Sequence, residues 1–198
     1  VACTLVMISH QYFDSSWQDF EQVVFQAVSI STTTGYTTSN FAEWPSFVPM
    51  LLIIASFIGG CAGSVGGGLR VARILVLYLQ GARELKRFVH PNLVYPIKWG
   101  KNVLDERVIG SIWAFFSAYL LVFTICLLSV IACGVEPFDA FNAVLASINN
   151  LGPGLGSVSS NMTAMPDSAK WVLTIAMVCG RLEIFTLLAL FTPAFWKE

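Results

Sequence analysis

The sequence is poor in charged residues and lacks the motifs on which many enzymes depend. Only 12% of its 198 residues are Asp, Glu, Lys or Arg, whereas 56% are hydrophobic, and the mean hydropathy is +0.70. It has two histidines but no H-E-x-x-H motif, and no phosphate-binding G-x-x-x-x-G-K-[ST] loop. The net charge of −1 gives no indication of nucleic-acid binding. This composition excludes a typical soluble domain and predicts a membrane protein without catalytic residues.

Paired cysteines are also missing. The five cysteines show no C-x-x-C spacing and lie in apolar surroundings. They are Cys3, Cys61, Cys126, Cys133 and Cys179. We expect neither a disulfide framework nor a zinc site nor an organic cofactor, and we interpret these cysteines as small packing residues.

Basic residues are concentrated in one part of the chain. Eight of the eleven Lys and Arg residues lie between positions 70 and 107. They are Arg70, Arg73, Arg83, Lys86, Arg87, Lys98, Lys101 and Arg107. The positive-inside rule therefore predicts that residues 70–107 are cytoplasmic, with the C-terminus on the same side.

Long apolar runs predict membrane spans. Residues 109–133 contain no charge and are long enough to cross about 30 Å of hydrocarbon at about 1.5 Å per residue. Residues 169–191 form a second candidate span, and residues 1–9 are interpreted as the end of a truncated membrane helix. Residues 45–79 are too long for one span and contain six glycines at positions 59–68, where we expect the helix to break.

Two shorter apolar stretches, residues 17–31 and 138–150, have the length of re-entrant segments. Each leads into polar residues and a glycine, and each is followed by a proline that lies 14 residues before another glycine. The chain thus repeats the order span, half-helix, polar turn, span. We predict an all-α transmembrane fold with two parallel repeats, residues 1–79 and 108–198, joined by a basic loop at 80–107. In that loop, residues 81–90 are expected to form a short helix and residues 94–103 a hairpin.

The polar turns after the two half-helices are candidate cation sites. A half-helix that enters from the outer side points its partly negative carbonyl end at the membrane centre, and the following backbone carbonyls can replace the water shell of a cation. The alternative for the first turn is an ordinary Thr-rich turn at a helix end. The residues of the two turns are Thr33, Thr34, Gly35 and Tyr36, and Asn150, Leu151, Gly152 and Pro153.

The glycine run at positions 59–68 and Arg181, which lies deep within its predicted span, are candidate elements of a gate. The run either allows close helix packing or forms an irregular loop beneath the two candidate cation sites. Arg181 lies 12 residues into its span, about 18 Å deep, where an uncompensated charge is costly. It either forms an ion pair, for which Glu183 is poorly placed, or faces a water-filled path and opposes cation passage.

Five segments together resemble one family: "SISTTTGYTT", "GGCAGSVGGGLRVAR", "HPNLVYPIKWG", "NNLGPGLG" and "CGRLEIFTLLALFTPAFW". They are similar to the membrane subunits of the bacterial Trk/Ktr/HKT potassium-uptake superfamily, over nearly the whole chain. The resemblance implies a multi-pass inner-membrane protein whose pore has pseudo-fourfold symmetry. That pore is formed by four repeats, each made of a helix, a half-helix and a second helix, and this chain would hold the last two repeats. The first two would precede residue 1.

The resemblance also implies roles for particular residues. Potassium would bind at Thr34, Gly35, Leu151 and Gly152, and Arg181 would be the arginine of the pore. An intramembrane gating loop would comprise Gly59, Gly60, Cys61, Ala62, Gly63, Ser64, Val65, Gly66, Gly67 and Gly68. The expected partners are membrane lipid, a second copy in a homodimer and a cytoplasmic TrkA-like nucleotide-binding regulatory ring. A sodium-permeable or poorly selective transporter of the same superfamily is the alternative function.

Overall fold

A computed structural model describes residues 17–38, 44, 47–61, 63–64, 66–90, 96–99, 102–152, 154–155, 158, 161–163 and 165–182. These residues form six helices and one two-stranded hairpin. The elements are α1 (Trp17–Ser31), α2 (Phe47–Ile58), α3 (Val71–Val89), β1 (Lys98–Trp99), β2 (Asn102–Val103), α4 (Glu106–Ala132), α5 (Pro137–Ile148) and α6 (Asp167–Arg181).

Helix α4 covers the predicted span at residues 109–133 except for its last residue. It is the one helix in the described part of the chain that is long and apolar enough to cross a membrane, with 27 residues. Asp105 caps its start by accepting a hydrogen bond from the Arg107 amide at 3.4 Å. The helix ends at Ala132, and Gly134, two residues later, has a φ of +87° that suits a residue without a side chain. Pro137 then begins α5. Proline lacks a backbone N–H, and in the first turn this costs no hydrogen bond because N–H groups there have no acceptor within the helix.

The two predicted half-helices are present as helices. Helix α1 covers the expected residues 17–31, and α5 lies within the expected 138–150 apart from one residue at its start. Helix α5 is deeply buried, since residues 142–149 all have little exposed surface. It packs on α4 and α6, while α1 packs on α2. In both parts of the chain, therefore, the half-helix packs on the helix that follows it.

The glycine run interrupts the apolar segment at residues 45–79, as predicted. Helix α2 ends at Ile58 and the next helix starts at Val71. That helix then continues to Val89, so the short helix expected at 81–90 is the second half of α3, and the expected boundary at residue 80 falls inside it. Gly81 does not end the helix because good helix formers surround it and a single glycine costs only about 1 kcal/mol relative to alanine.

The hairpin expected at 94–103 is confirmed, with β1 and β2 antiparallel and Lys98 paired with Val103.

The packing role predicted for cysteine holds for Cys126 and Cys179, which are buried, and is wrong for Cys61, which is exposed because it lies in the glycine loop. The expected truncated helix at residues 1–9 and the second half of the span at 169–191 lie outside the described residues.

Candidate functional site

Helices α1 and α5 end in the same backbone turn. After α1, the Thr34 amide donates to the Ser29 carbonyl at 2.8 Å and the Thr33 amide to the Ile30 carbonyl at 3.1 Å. After α5, the amides of Leu151 and Asn150 make the equivalent bonds, to Ala146 at 2.9 Å and Ser147 at 3.0 Å. This pair of bonds is the Schellman pattern, which satisfies carbonyls at the end of a helix.

The backbone angles of the two turns also agree. Thr33 and Asn150, at equivalent positions, have φ values of +55° and +51°. Two residues later, Gly35 and Gly152 have φ values of +81° and +95°. Glycine adopts this conformation freely, whereas a β-branched threonine does so only when its surroundings hold it there. The one other non-glycine residue with positive φ in the described chain is Arg70, at the end of the glycine loop.

The glycine loop contacts both turns. The Gly67 amide donates to the Thr33 hydroxyl oxygen at 2.8 Å, which ties the left-handed threonine in place. A Cβ atom on Gly67 would overlap the carbonyl oxygen of Asn149, and one on Gly66 would lie 3.3 Å from the Thr32 carbonyl oxygen. Only glycine therefore fits at position 67, between the ends of the two half-helices.

A second glycine makes a similar approach from α6. A Cβ atom on Gly180 would overlap the carbonyl oxygen of Ile148, the last residue of α5. Its counterpart in the first part of the chain, Gly59, has a φ of +66° and no room for a side chain beside Gly67. Glycine at position 180 lets α6 pack directly on the backbone at the end of α5, whereas glycine at position 59 lets the glycine loop fold back on itself. Gly63 differs, because a Cβ atom there would meet nothing within 4 Å.

Asn149 links the two parts of the chain through buried hydrogen bonds. Its side-chain oxygen accepts from the Tyr119 hydroxyl at 2.7 Å, and its Nδ2 donates to the Ser56 hydroxyl at 3.2 Å. The neighbouring Asn150 donates through Nδ2 to the Met177 carbonyl at 3.2 Å. Asn149, Tyr119 and Ser56 were not among the predicted site residues. The available signal was their polarity within apolar segments, where a polar side chain needs a partner.

The first turn has an additional hydrogen bond of its own. The Ser29 hydroxyl donates to the Tyr36 carbonyl at 2.7 Å, which folds the chain after Gly35 back onto α1. The equivalent residue in α5 is Ala146, which has no hydroxyl. Tyr36 itself exposes 73% of its surface.

A cavity of about 220 Å³ lies beside the two turns. Arg181 and residues of the glycine loop line it, together with Arg70 and Arg73, which the sequence analysis assigned only to the basic loop. The Arg73 guanidinium lies 4.1 Å from the centre of the Phe115 ring, a cation–π distance. The lining residues are Ser64, Gly66, Gly68, Arg70, Arg73, Phe115, Tyr119, Ile148, Cys179, Gly180 and Arg181.

Some predicted site residues fall outside the described part of the chain. They are Ala62 and Val65 of the glycine loop, Pro153 of the second turn, and Glu183, the poorly placed partner of Arg181. No group of three or more His, Cys, Asp or Glu side chains suited to a metal ion occurs among the residues that the structure does describe. The oxygen atoms available at the two turns are backbone carbonyls and hydroxyls, which are ligands for hard cations.

The mostly helical fold, with one helix long and apolar enough to cross a membrane and polar turns at two helix ends, fits an all-α membrane transporter. The family model of TrkH, a cation transport protein, matches residues 12–198. The chain belongs to the TrkH family. Membership confirms the resemblance to the Trk/Ktr/HKT superfamily and implies an inner-membrane protein.

Individual relatives are similar over most or all of the chain. TrkH, a Trk system potassium uptake protein of Vibrio parahaemolyticus, is 56% identical over all 198 residues, which are 41% of its length. TrkG of Escherichia coli K12 is 36% identical over 174 residues, 88% of this chain and 36% of that protein. The crystal structure of the potassium transporter TrkH from Vibrio parahaemolyticus superimposes with a TM-score of 0.92 at 57% identity, over 99% of this chain and 42% of that one.

The chain thus spans about two-fifths of the length of these relatives. They are named as transport proteins, in agreement with the expectation that the chain is not an enzyme.

Proposed function

We propose that this chain forms the C-terminal part of a bacterial potassium-uptake subunit and holds two of its four pore repeats. The observation that carries the proposal is the placement of Gly67 between two half-helix ends that share one backbone turn. The names of the relatives, which are Trk system potassium uptake proteins, support potassium as the transported ion.

In the proposed filter, each half-helix directs its carbonyl end, which carries roughly half a negative charge, toward the ion path. The carbonyls of Thr34, Gly35, Leu151 and Gly152 then hold a dehydrated potassium ion, with Thr33, Tyr36, Asn150 and Pro153 beside them. The positive φ of Gly35 and Gly152 supports this role because it lets neighbouring carbonyls point in one direction. Two further repeats would complete the ring of oxygens.

The proposed gate consists of the glycine loop, residues 59–68, and Arg181. The cavity beside the turns supports it, since this cavity is lined both by the loop and by Arg181. A positive charge just below the filter raises the electrostatic barrier to a cation, the more so in a medium of low dielectric constant. Movement of the loop would change the width of the path and the position of this charge.

The remaining parts of the proposal concern orientation and partners. Residues 70–107 and the C-terminus would face the cytoplasm, as the distribution of basic residues indicates. A homodimer and a TrkA-like nucleotide-binding ring on the cytoplasmic side would complete the assembly.

Uptake of rubidium and sodium by the full-length transporter tests the filter. Wild-type protein should take up tracer rubidium in preference to sodium. Gly35→Ser should weaken that preference, because a serine strains the left-handed backbone that aligns the carbonyls. Equal uptake of the two ions by the wild type would favour the sodium-permeable alternative, and absence of cation flux in both forms would overturn the pore.

A charge-removal pair tests the gate. Arg181→Ala should raise basal cation flux, since it removes a positive charge from the cavity beneath the filter. Lys170→Ala is the matched control, because Lys170 lies on the same helix α6 but pairs with Asp167 at 2.9 Å on the exposed first turn. An unchanged flux in Arg181→Ala, in protein that folds normally, would disprove the barrier role.

A further inference from the structure

The glycine loop is joined to its own helix and to the first turn by different kinds of bond. At the end of the loop, the Leu69 amide donates to the Phe57 carbonyl of α2 at 2.9 Å, a bond between two backbone groups. Toward the turn after α1, the described residues form one hydrogen bond, from the Gly67 amide to the Thr33 hydroxyl oxygen at 2.8 Å. The loop can therefore part from this turn while the backbone bond that fixes it to α2 stays intact.

The second turn holds the loop in another way. Asn150 is the counterpart of Thr33, but its Nδ2 donates to the Met177 carbonyl of α6 at 3.2 Å. Gly67 meets the second turn at the carbonyl oxygen of Asn149, where a Cβ atom would overlap it, and this contact is one of packing. Among the described residues, hydrogen bonding between the loop and the two half-helix ends thus depends on a single side chain, that of Thr33.

The Thr33 hydroxyl is engaged on both sides by backbone groups. It donates its proton to the Thr32 carbonyl at 2.7 Å, and its oxygen accepts from the Gly67 amide. The bond to Gly67 is buried, and Thr33 exposes only 8% of its surface. A buried N–H without an acceptor costs free energy, so the hydroxyl stabilises the loop in the position in which the two groups meet.

The backbone of Thr33 couples the loop to the turn. Its φ of +55° is unfavourable for a β-branched residue and persists only where the surroundings hold it. The bond from Gly67 is part of those surroundings. Separation of the loop from the turn would remove this support, so the position of the loop and the backbone geometry of the first turn depend on each other.

We propose that Thr33 is a positioning residue that holds the glycine loop closed, and that the loop opens by breaking the bond between the Thr33 hydroxyl and the Gly67 amide. The inference rests on the proposed pore and gate and deepens them. It assigns the Thr33 side chain to the loop and leaves ion binding to the backbone carbonyls of the turns.

Basal rubidium uptake by the full-length transporter in liposomes, measured over a range of rubidium concentrations, tests this role. Thr33→Val keeps the branched shape but removes the hydroxyl, which leaves the Gly67 amide without this acceptor in the closed position. We expect maximal uptake to rise about fivefold or more, with the half-saturating rubidium concentration unchanged. Thr33→Ser restores a hydroxyl and should reverse most of this increase.

Ser31→Ala is the matched control, because the Ser31 hydroxyl also lies at the end of α1 but bonds to the Val28 carbonyl of its own helix at 3.2 Å. It should keep wild-type uptake. Unchanged maximal uptake in Thr33→Val, or an equal increase in Thr33→Ser or Ser31→Ala, would overturn the proposal. Lower uptake with a raised half-saturating concentration would overturn it too, because the hydroxyl would then be an ion ligand.

Thermal unfolding shows whether each variant has folded. If Thr33→Val has not, Thr33→Gly removes the same hydroxyl and suits the left-handed backbone, and it should show the same increase in uptake. Absence of uptake by the wild type would overturn the proposed pore itself, whereas the outcomes for the variants concern Thr33 in a transporter that conducts.

Discussion

The two half-helix turns have one backbone geometry but are held by different side chains. The first is held mostly by local bonds, from Ser29 to the Tyr36 carbonyl and from Thr32 to the Val28 carbonyl at 2.6 Å. The second is held by distant residues, through the bonds of Asn149 to Tyr119 and Ser56. The geometry of such a turn is therefore set by the helix end, while the residues that stabilise it depend on what surrounds it.

Burial explains the difference between the two turns. Helix α5 is enclosed by α4 and α6, so its polar end can reach partners on neighbouring helices. Helix α1 keeps an exposed apolar face, including Phe20, Phe25 and Val28, and its described packing partner is α2. In the proposed pore, the first two repeats are candidates to cover this face. Within this chain, the turn after α1 is held mainly by hydrogen bonds from its own hydroxyl groups.

The largest expected loss of stability comes from adding a methyl group to a glycine whose Cα lies against the backbone of a neighbouring segment. Gly67→Ala and Gly180→Ala should each destabilise the protein by about 3 kcal/mol or more, because the new Cβ overlaps a carbonyl oxygen of α5 or its turn. The measurement is the free energy of unfolding, or the yield of folded protein. Gly110→Ala is the control, since its Cβ meets nothing within 4 Å and alanine favours the helix. A neutral Gly67→Ala would show that the loop does not pack against Asn149.

A smaller loss should follow removal of the buried amide. Asn149→Ala leaves the buried Tyr119 hydroxyl without its acceptor and removes one of the two bonds of the Ser56 hydroxyl, which still donates to the Ile53 carbonyl at 2.7 Å; the loss should be about 2–3 kcal/mol. The equivalent change in the first turn, Thr32→Ala, should cost less because Thr32 is exposed. A double-mutant cycle with Tyr119→Phe measures the coupling, and additive effects would mean that the hydrogen bond contributes nothing.

The two turn glycines should respond alike. Gly35→Ala and Gly152→Ala each place a side chain on a left-handed backbone, which should cost about 1–2 kcal/mol. At Gly152 the effect is conformational only, since a Cβ there contacts nothing. Stability and the rubidium-to-sodium uptake ratio, measured on both variants, sharpen the comparison. A change of selectivity in one variant alone would show that the two turns do not serve one ion site.

The smallest expected effect distinguishes the first turn from the second. Ser29→Ala gives α1 the residue that α5 already has at this position, Ala146, and removes the bond to the Tyr36 carbonyl. We expect a loss of about 0.5–1.5 kcal/mol in the free energy of unfolding. Ser31→Ala is the control, because its hydroxyl makes only a 3.2 Å bond within its own helix. Equal losses in the two variants would argue against a special role for Ser29.

Much of the fold was predictable because its signals are local. The charge-free run that became α4, the glycines that end α2, and the lengths of α1 and α5 all follow from the residues of each segment alone. The continuity of α3 through Gly81 was not predicted, because a single glycine lowers helix stability without deciding where a helix ends.

The sequence by itself determined where the chain is apolar enough to enter a membrane, where its helices break and where its polar turns lie, since these depend on neighbours along the chain. Only the tertiary structure decided that Gly67 lies between the two turns, that Asn149 joins Tyr119 to Ser56, and that Arg70 and Arg73 share a cavity with Arg181. These contacts join residues far apart in the chain, and they form because buried backbone and polar side chains must find hydrogen-bond partners wherever packing brings them.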